Sequence, residues 1–265
     1  MPVGWMDVSD VQFDAITLLE RVQLSWLPRS SVSEEAFALA LRAHPMVAWS
    51  IRAKCPDIGG WLDQIATAIP NTPRDSQTPE ALREAEIAVL RAIDDWLVYV
   101  LDPAIYDAQP FLNWDSAELT SIVDFSGKRV IDVGCGTGRL TLVAASEARE
   151  VYAVDPIENL RRYVRGRARE SGLENVYCVD GLITEIPFPD GFADVTMGGH
   201  VFGDDPVEEL AEMLRVTRPG GTVALCPGND DVDNERHAVL VGHGFEWNRF
   251  EEPVDGMKRK YWRPR

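Results

Sequence analysis

The chain has 265 residues, 45% of them hydrophobic, enough for one large domain or for a core domain with a smaller appendage. Its formal net charge of −17 argues against DNA, bulk RNA or an anionic membrane surface as partner, because binding phosphate needs a basic footprint. No run approaches the roughly 18 apolar residues of a membrane span, so none is expected.

The opening, "MPVGWMDVSD", lacks the basic start and apolar run of a secretory signal. Up to about residue 115 the apolar spacing is helical. "VSDVQFDAITLLERVQLSWL" carries Val11, Ile16, Leu18, Leu19, Val22 and Leu24 and predicts a first helix. "SVSEEAFALALRAHPMVAW" predicts a second, opened by a capping box from Ser31 to Glu34 and ended or kinked at Pro45. "IGGWLDQIATAI" predicts a short third helix, and "NTPRDSQTP" over 71–79 a polar connector. Thr78 as N-cap and Pro79 at the first helical position then open "PEALREAEIAVLRAIDDWLVYVL", which Pro103 closes. Residues 1–115 therefore read as a helical region that can cap a substrate. Five tryptophans (Trp26, Trp49, Trp61, Trp96, Trp114) form either its core or an apolar lid, with Trp114 the one best placed to meet a substrate.

From about residue 116 short apolar runs alternate with helical segments. "RVIDVG", "EVYAVD", "NVYCVD", "FADVTMGG" and "TVALCPG" read as strands. "RLTLVAASEA", "PIENLRRYVRGRARESG" and "DPVEELAEMLRVTRPGG" read as the helices between them, the last with Asp205 as N-cap and Pro206 behind it. This alternation implies a parallel sheet covered on both faces. "FEWNRFEEP" and "DGMKRKYWRP", joined around Asp255-Gly256, add an antiparallel finish. The run Arg161, Arg162, Arg165, Arg167 and Arg169 reads as a solvated helix face. Cys55, Cys135, Cys178 and Cys226 include no C-x-x-C pair; free thiols in a reducing cytoplasm are expected, and no zinc site.

"VIDVGCGTGRL" (130–140) carries the chemistry. No Lys-Ser or Lys-Thr follows its glycines, which excludes a P-loop. Gly134 and Gly136 fit the start of a dinucleotide fingerprint, but the sixth position is Arg139 and the third glycine falls at 138. The glycines thus sit together at the turn, behind Asp132. A carboxylate there is a poor neighbour for a pyrophosphate and a good one for an ammonium or sulfonium group. The next strand ends in Asp155, whose two oxygens can accept from both ribose hydroxyls. The third ends in Asp180-Gly181, where a carboxylate can accept from an adenine amine and the amides of Gly181 and Leu182 can donate. All three aspartates fall at the carboxyl edge of the sheet, where open α/β sheets bind ligands.

Together with "VYAVDP", "CVDGLITEIPFPDGFADVTMGGHVF" and "EMLRVTRPGGTVAL", that loop resembles class I S-adenosylmethionine-dependent methyltransferases, closest to the ubiquinone/menaquinone-type subgroup, over roughly 117–265. The resemblance implies a Rossmann-like, doubly wound α/β fold with a seven-stranded, mostly parallel sheet and a reversed last strand. It assigns the methionine moiety to Asp132, Gly134, Cys135 and Gly136, the ribose to Asp155 and the adenine amine to Asp180. Thr137, Pro156, Gly181, Leu182 and Gly198 complete the expected cofactor set.

Methyl transfer is an in-line displacement in which the protein mainly aligns the partners. A base is needed only where the acceptor must lose a proton. In "MGGHVFGDD", Gly198 and Gly199 let the backbone approach a ligand, and His200 is the candidate base or substrate contact, since an imidazole titrates near neutral pH. His44, His237 and His243 have no metal-ligand spacing, and no metal is expected. The functional expectation is a cytoplasmic methyltransferase acting on a small-molecule acceptor. A non-catalytic S-adenosylmethionine-binding module shares the same three aspartates and stays open, and an NAD-dependent oxidoreductase fits less well.

Overall fold

The computed structural model describes residues 4–68 and 78–265. The chain forms two compact units, Met1–Tyr106 and Asp107–Arg265.

The first unit is helical. In place of one helix over 8–27 there is a 3-10 segment, Phe13–Leu18, and then α1, Arg21–Trp26. The break follows from Gln23, a polar residue at a fully buried position. Its amide donates to the Trp96 carbonyl at 3.0 Å, and its Oε1 accepts from the Glu20 amide at 2.9 Å, which starts a new helix at that point. Helix α2 (Glu34–Ala43) is capped by Ser33, whose Oγ accepts from Ala36 N at 3.3 Å, and not by Ser31. Glu34 is consequently in the first turn, and its carboxylate accepts from Trp61 Nε1 at 3.0 Å. Pro45 ends α2 and opens α3 (Pro45–Lys54), since the missing N–H costs nothing in a first turn. Helix α4 spans Gly59–Ala68. The connector expected at 71–79 lies, up to residue 77, outside the described residues. Helix α5 (Pro79–Ala92) begins as expected, Thr78 Oγ1 accepting from Ala81 N at 3.2 Å. It breaks at Ile93 before α6 (Asp94–Leu101), and α7 (Pro103–Asp107) follows. Phe13, Ile16, Leu24, Phe37, Leu90 and Leu97 are at most 1% exposed and form the core. Trp96 packs edge-on to Trp26 and Trp61 against Phe37, while Trp49 is 65% exposed. These four are therefore spread between core and solvent.

The second unit opens with α8 (Ala117–Thr120) and then alternates: β1 (Arg129–Val133), α9 (Arg139–Ala145), β2 (Glu150–Val154), α10 (Glu158–Glu170), β3 (Val176–Val179) and β4 (Ala193–Gly198). Helix α11 (Pro206–Val216), β5 (Thr217–Asp230), α12 (Glu235–Gly242), β6 (Glu246–Glu252) and β7 (Gly256–Pro264) complete it. The seven strands form one sheet in the order β3-β2-β1-β4-β5-β7-β6. Strands β1 to β5 are parallel, and β7 runs antiparallel to both β5 and β6. The architecture is the mostly parallel seven-stranded sheet with a reversed last strand that the sequence predicts. Helix α11 is shorter than expected: it stops at Val216, because Pro219 cannot continue it, and the chain enters β5 at once.

Alternation along each strand divides the core in two. Val130, Ala224 and Cys226 join Leu119, Leu140 and Ala144 on one face. Ile131, Val133, Val223 and Leu225 join Leu210, Met213 and Leu240 on the other. Asp132, in phase with Val130, is thereby turned to the α9 face. Because β7 reverses, β6 runs in the same sense as β1–β5, and its last residue, Glu252, arrives at the edge where those strands end. Among the described residues no helix is long and apolar enough to cross a membrane.

Candidate functional site

The register Val133↔Val154↔Val179 sets the three strand ends side by side. Asp155 and Asp180 are the first residues beyond β2 and β3, whereas Asp132 is inside β1, opposite Ala153. Depth inside the strand accounts for the burial of Asp132; Asp155 and Asp180, at equivalent strand ends, differ in exposure because only Asp155 is packed against the glycine turn. Asp132 is 1% exposed and accepts from Thr141 Oγ1 at 2.5 Å, the threonine standing in the first turns of α9. Burial pushes its carboxyl up to about 7 despite the hydroxyl donor, with a small further push from Asp155. Asp155 is 5% exposed. Its Oδ2 accepts from Gly136 N at 3.0 Å and its Oδ1 from Ile157 N at 2.9 Å, so the glycine turn is tied to the end of β2. Burial raises this carboxyl too, to about 6, against those two amides and Arg161, with Asp180 adding to the rise. Asp180 has its side chain 75% exposed and bonds Arg161 Nη1 at 2.8 Å. The pair is a surface one, worth at most about 1 kcal/mol.

Between the first two carboxylates the chain turns through Gly134, Gly136 and Gly138, at φ +64°, +53° and +88°. Left-handed backbone three times in five residues is what L side chains avoid and glycine tolerates. Cys135, 6% exposed, packs with Ala153 and Val164, and burial raises its thiol further above the usual range. Thr137 is 2% exposed, and its carbonyl accepts from Arg167 Nη1 at 3.1 Å. Pro156 is half-buried beside Asp155. Leu182 is 37% exposed just beyond Asp180 and Gly181.

The glycines also admit the protein's own atoms. A Cβ on Gly134 would stand 2.3 Å from Val201 Cγ2, and one on Gly198 2.7 Å from Val201 Cγ1. A Cβ on Gly199 would meet the Cys226 carbonyl at 2.8 Å, and one on Gly181 the Pro187 ring at 2.6 Å. Packing on the loop after β4 and on β5 is thus sufficient reason for Gly198 and Gly199. Gly134→Ala should lower stability by roughly 2 kcal/mol or more, combining left-handed strain with the Val201 collision. Denaturant midpoints check this, and adding Val201→Ala should restore part of the loss.

Beyond β4, His200 adopts φ +57°, a conformation uncommon outside glycine. Its amide donates to the Pro227 carbonyl at 3.0 Å, and its Nε2 is 2.8 Å from Oε1 of Glu252, a residue with no exposed surface. The imidazole meets the Phe111 ring edge-on at 5.5 Å. Trp114, expected at a substrate surface, is instead 2% exposed within the core around Leu119, Phe125 and Phe250. The Arg139 guanidinium lies 4.9 Å above its ring and donates to its carbonyl, so the indole is already covered by protein.

Four residues of this edge escape a sequence reading. Thr141 and Glu252 match no spacing rule; only the fold brings them to Asp132 and His200. Arg161 and Arg167, read as part of a solvated face, turn inward. Arg161 donates to the Asp155 carbonyl at 2.6 Å as well as to Asp180, and Arg167 pairs with Asp107 at 2.7 Å. Among the described residues no cluster of histidine, cysteine or acidic side chains could hold a metal, and all four cysteines are free.

Residues 131–225 match the family model described as a methyltransferase domain. The demethylmenaquinone methyltransferase of Geobacillus stearothermophilus is 34% identical over 123 residues, which cover 43% of this chain and 51% of that protein. The enzyme of the same description from Geobacillus kaustophilus (strain HTA426) is 37% identical over 123 residues, with the same two shares. The chain therefore spans about half the length of the curated relatives it matches. A crystal structure described as a SAM-dependent methyltransferase from Aquifex aeolicus shares 21% identity, covering 61% of this chain and 97% of that one at a TM-score of 0.48.

Proposed function

We propose that this chain, whose residues 131–225 match the methyltransferase-domain family model, transfers the methyl group of S-adenosylmethionine to a small-molecule acceptor. The observation that carries the reading is the row of carboxylates at one sheet edge, with Asp132 and Asp155 stripped of water beside a turn of three left-handed glycines. Buried carboxylates with raised proton affinity favour a cation or a hydrogen-bond donor as ligand and disfavour a pyrophosphate. S-adenosylmethionine presents a sulfonium, an ammonium, two ribose hydroxyls and an adenine amine, and so fits this acceptor-rich set.

We assign its methionine end to Asp132 and the turn Gly134, Cys135, Gly136 and Thr137, with Gly198 facing the same turn. The ribose is assigned to Asp155 with Pro156. Each Asp155 oxygen already accepts one backbone amide and retains a lone pair for a hydroxyl. The adenine is assigned to Asp180, Gly181 and Leu182. When bound, the cofactor supplies an activated methyl group and a neutral thioether leaving group. The chain's own contribution is to fix the orientation of the partners, which in favourable systems is worth up to about 7–11 kcal/mol, and to exclude water from Asp132. The helical unit contributes none of these residues, and we assign acceptor selection to it. Demethylmenaquinone, the acceptor in the relatives' name, is the first compound to try.

Calorimetry of the full chain with S-adenosylmethionine, S-adenosylhomocysteine and NAD tests the reading. Micromolar or tighter binding of the first two, with none of NAD, is the expected outcome. Binding of NAD alone would replace this function by an oxidoreductase one. Cofactor binding with no methylated product from any acceptor would leave a binding module.

A further inference from the structure

The loop after β4 is held by a buried carboxylate that the proposed methyl transfer does not by itself require. We infer that Glu252 is a positioning residue for His200: it fixes the imidazole with its proton on Nε2 and leaves the Nδ1 lone pair as the atom that takes a proton from the methyl acceptor. The inference rests on the methyltransferase reading for its purpose, and on geometry for its substance.

Glu252 ends β6 with no exposed surface, and its Oε1 is 2.8 Å from His200 Nε2. An ionised carboxylate only accepts hydrogen bonds, so the nitrogen facing it must carry the proton. In a neutral imidazole the other nitrogen is then bare. Among the described residues no hydrogen bond is made to Nδ1, and the His200 side chain keeps 31% of its surface exposed. Glu252 has another basic neighbour, Lys258 on β7, but the distances rank the two. Lys258 Nζ is 3.5 Å from Glu252 Oε2 and 2.7 Å from Asp230 Oδ1. Its principal partner is thus Asp230 at the end of β5, and Glu252 is aimed at the histidine. Lys258 also lies 3.8 Å from Asp255. Asp230 interacts electrostatically with His200 as well as with Lys258 and Arg236, and Arg236 lies against Gly203 on the same loop.

The backbone points the same way. His200 holds a left-handed φ of +57°, a conformation that non-glycine residues seldom adopt. Such a conformation persists where its surroundings over-determine it. Here the Pro227 carbonyl fixes the amide, Glu252 fixes the ring and Phe111 packs edge-on to it. In the reaction the proton of an acceptor O–H or N–H moves to Nδ1, and its bonding pair stays on the acceptor atom. The ring becomes an imidazolium whose new charge faces Glu252.

Long-range proton–nitrogen NMR of the nitrogen-15-labelled full chain reads the tautomer directly, at alkaline pH and with no acceptor needed. His200→Gln identifies which of the four ring signals is lost. The expected spectrum has His200 as a single Nε2–H tautomer. In Glu252→Gln, which keeps shape but can donate as well as accept, the ring should populate both tautomers. Glu252→Asp should retain part of the parent pattern. A bare Nε2 in the parent protein overturns the inference whether or not the variants fold, and so does a Glu252→Gln spectrum identical to the parent. The cofactor titration above is independent of this result: the expected tautomer without cofactor binding keeps the dyad and removes the methyltransferase reading, and the reverse outcome does the opposite.

Discussion

Asp132→Asn is expected to raise thermal stability more at pH 8 than at pH 5, while weakening binding of S-adenosylmethionine roughly 10- to 150-fold, the equivalent of about 1.5–3 kcal/mol for one charge-assisted contact. The sign follows from linkage. Burial lifts this carboxyl from 3.8 to about 7 in the folded chain, so the native state holds the proton more tightly than the unfolded one. Its contribution to stability is fully present below about pH 4 and is lost as pH rises through 7. Asparagine does not ionise, still accepts from Thr141 and removes that loss. The gain is on the order of a few kcal/mol at pH 8 as an upper limit. Melting curves of parent and variant at the two pH values isolate it, because titrating groups that do not interact with Asp132 cancel in the difference, Asp155 being the coupled neighbour. The same argument predicts that cofactor binding to the parent strengthens from pH 6 to 8. A variant whose stability gain is flat with pH would remove Asp132 as a buried ionisable acid. One that binds the cofactor like the parent would remove it from the site.

Asp155→Ala is expected to cost both stability and affinity. The side chain satisfies the amides of Gly136 and Ile157 in a setting only 5% exposed. Leaving each such donor unpaired costs about 1–3 kcal/mol, so unfolding free energy should fall by roughly 2–6 kcal/mol. If the ribose also bonds here, affinity for S-adenosylhomocysteine falls by a further 10-fold or more. Asp155→Asn separates the two roles. It keeps one acceptor oxygen for a loop amide, but its NH2 cannot accept the second, and it has no charge for the ribose. A variant that melts earlier yet binds S-adenosylhomocysteine like the parent would make Asp155 a loop anchor alone.

The glycine spacing and the strand-end aspartates were legible because they are local. Three left-handed turns in five residues admit little but glycine, and a parallel strand that ends at a ligand edge sets the residue after it beside its neighbours. The two-face alternation from β1 to β5 and the caps at Thr78 and Asp205 are local for the same reason. Where local rules competed, they misled. Ser31 and Ser33 both precede a helical pattern, and the capping bond of Ser33 to Ala36 decided between them. Trp114 was expected to meet a substrate because it is the tryptophan nearest the sheet, but the core that covers it comes from Phe250, well over a hundred residues later.

By itself, then, the amino-acid order determined the sheet, the turn and the acidic character of its edge, since period, glycine and charge act within a few residues. Tertiary structure alone decided how those acids are used. Thr141 reaches Asp132 because both fall on the α9 face, and Arg161 folds back on Asp155 and Asp180. Glu252 meets His200 because the reversal of β7 returns β6 in the parallel sense. Hydrogen bonds and desolvation depend on distance in space, and no spacing along the chain encodes an approach across 52 residues.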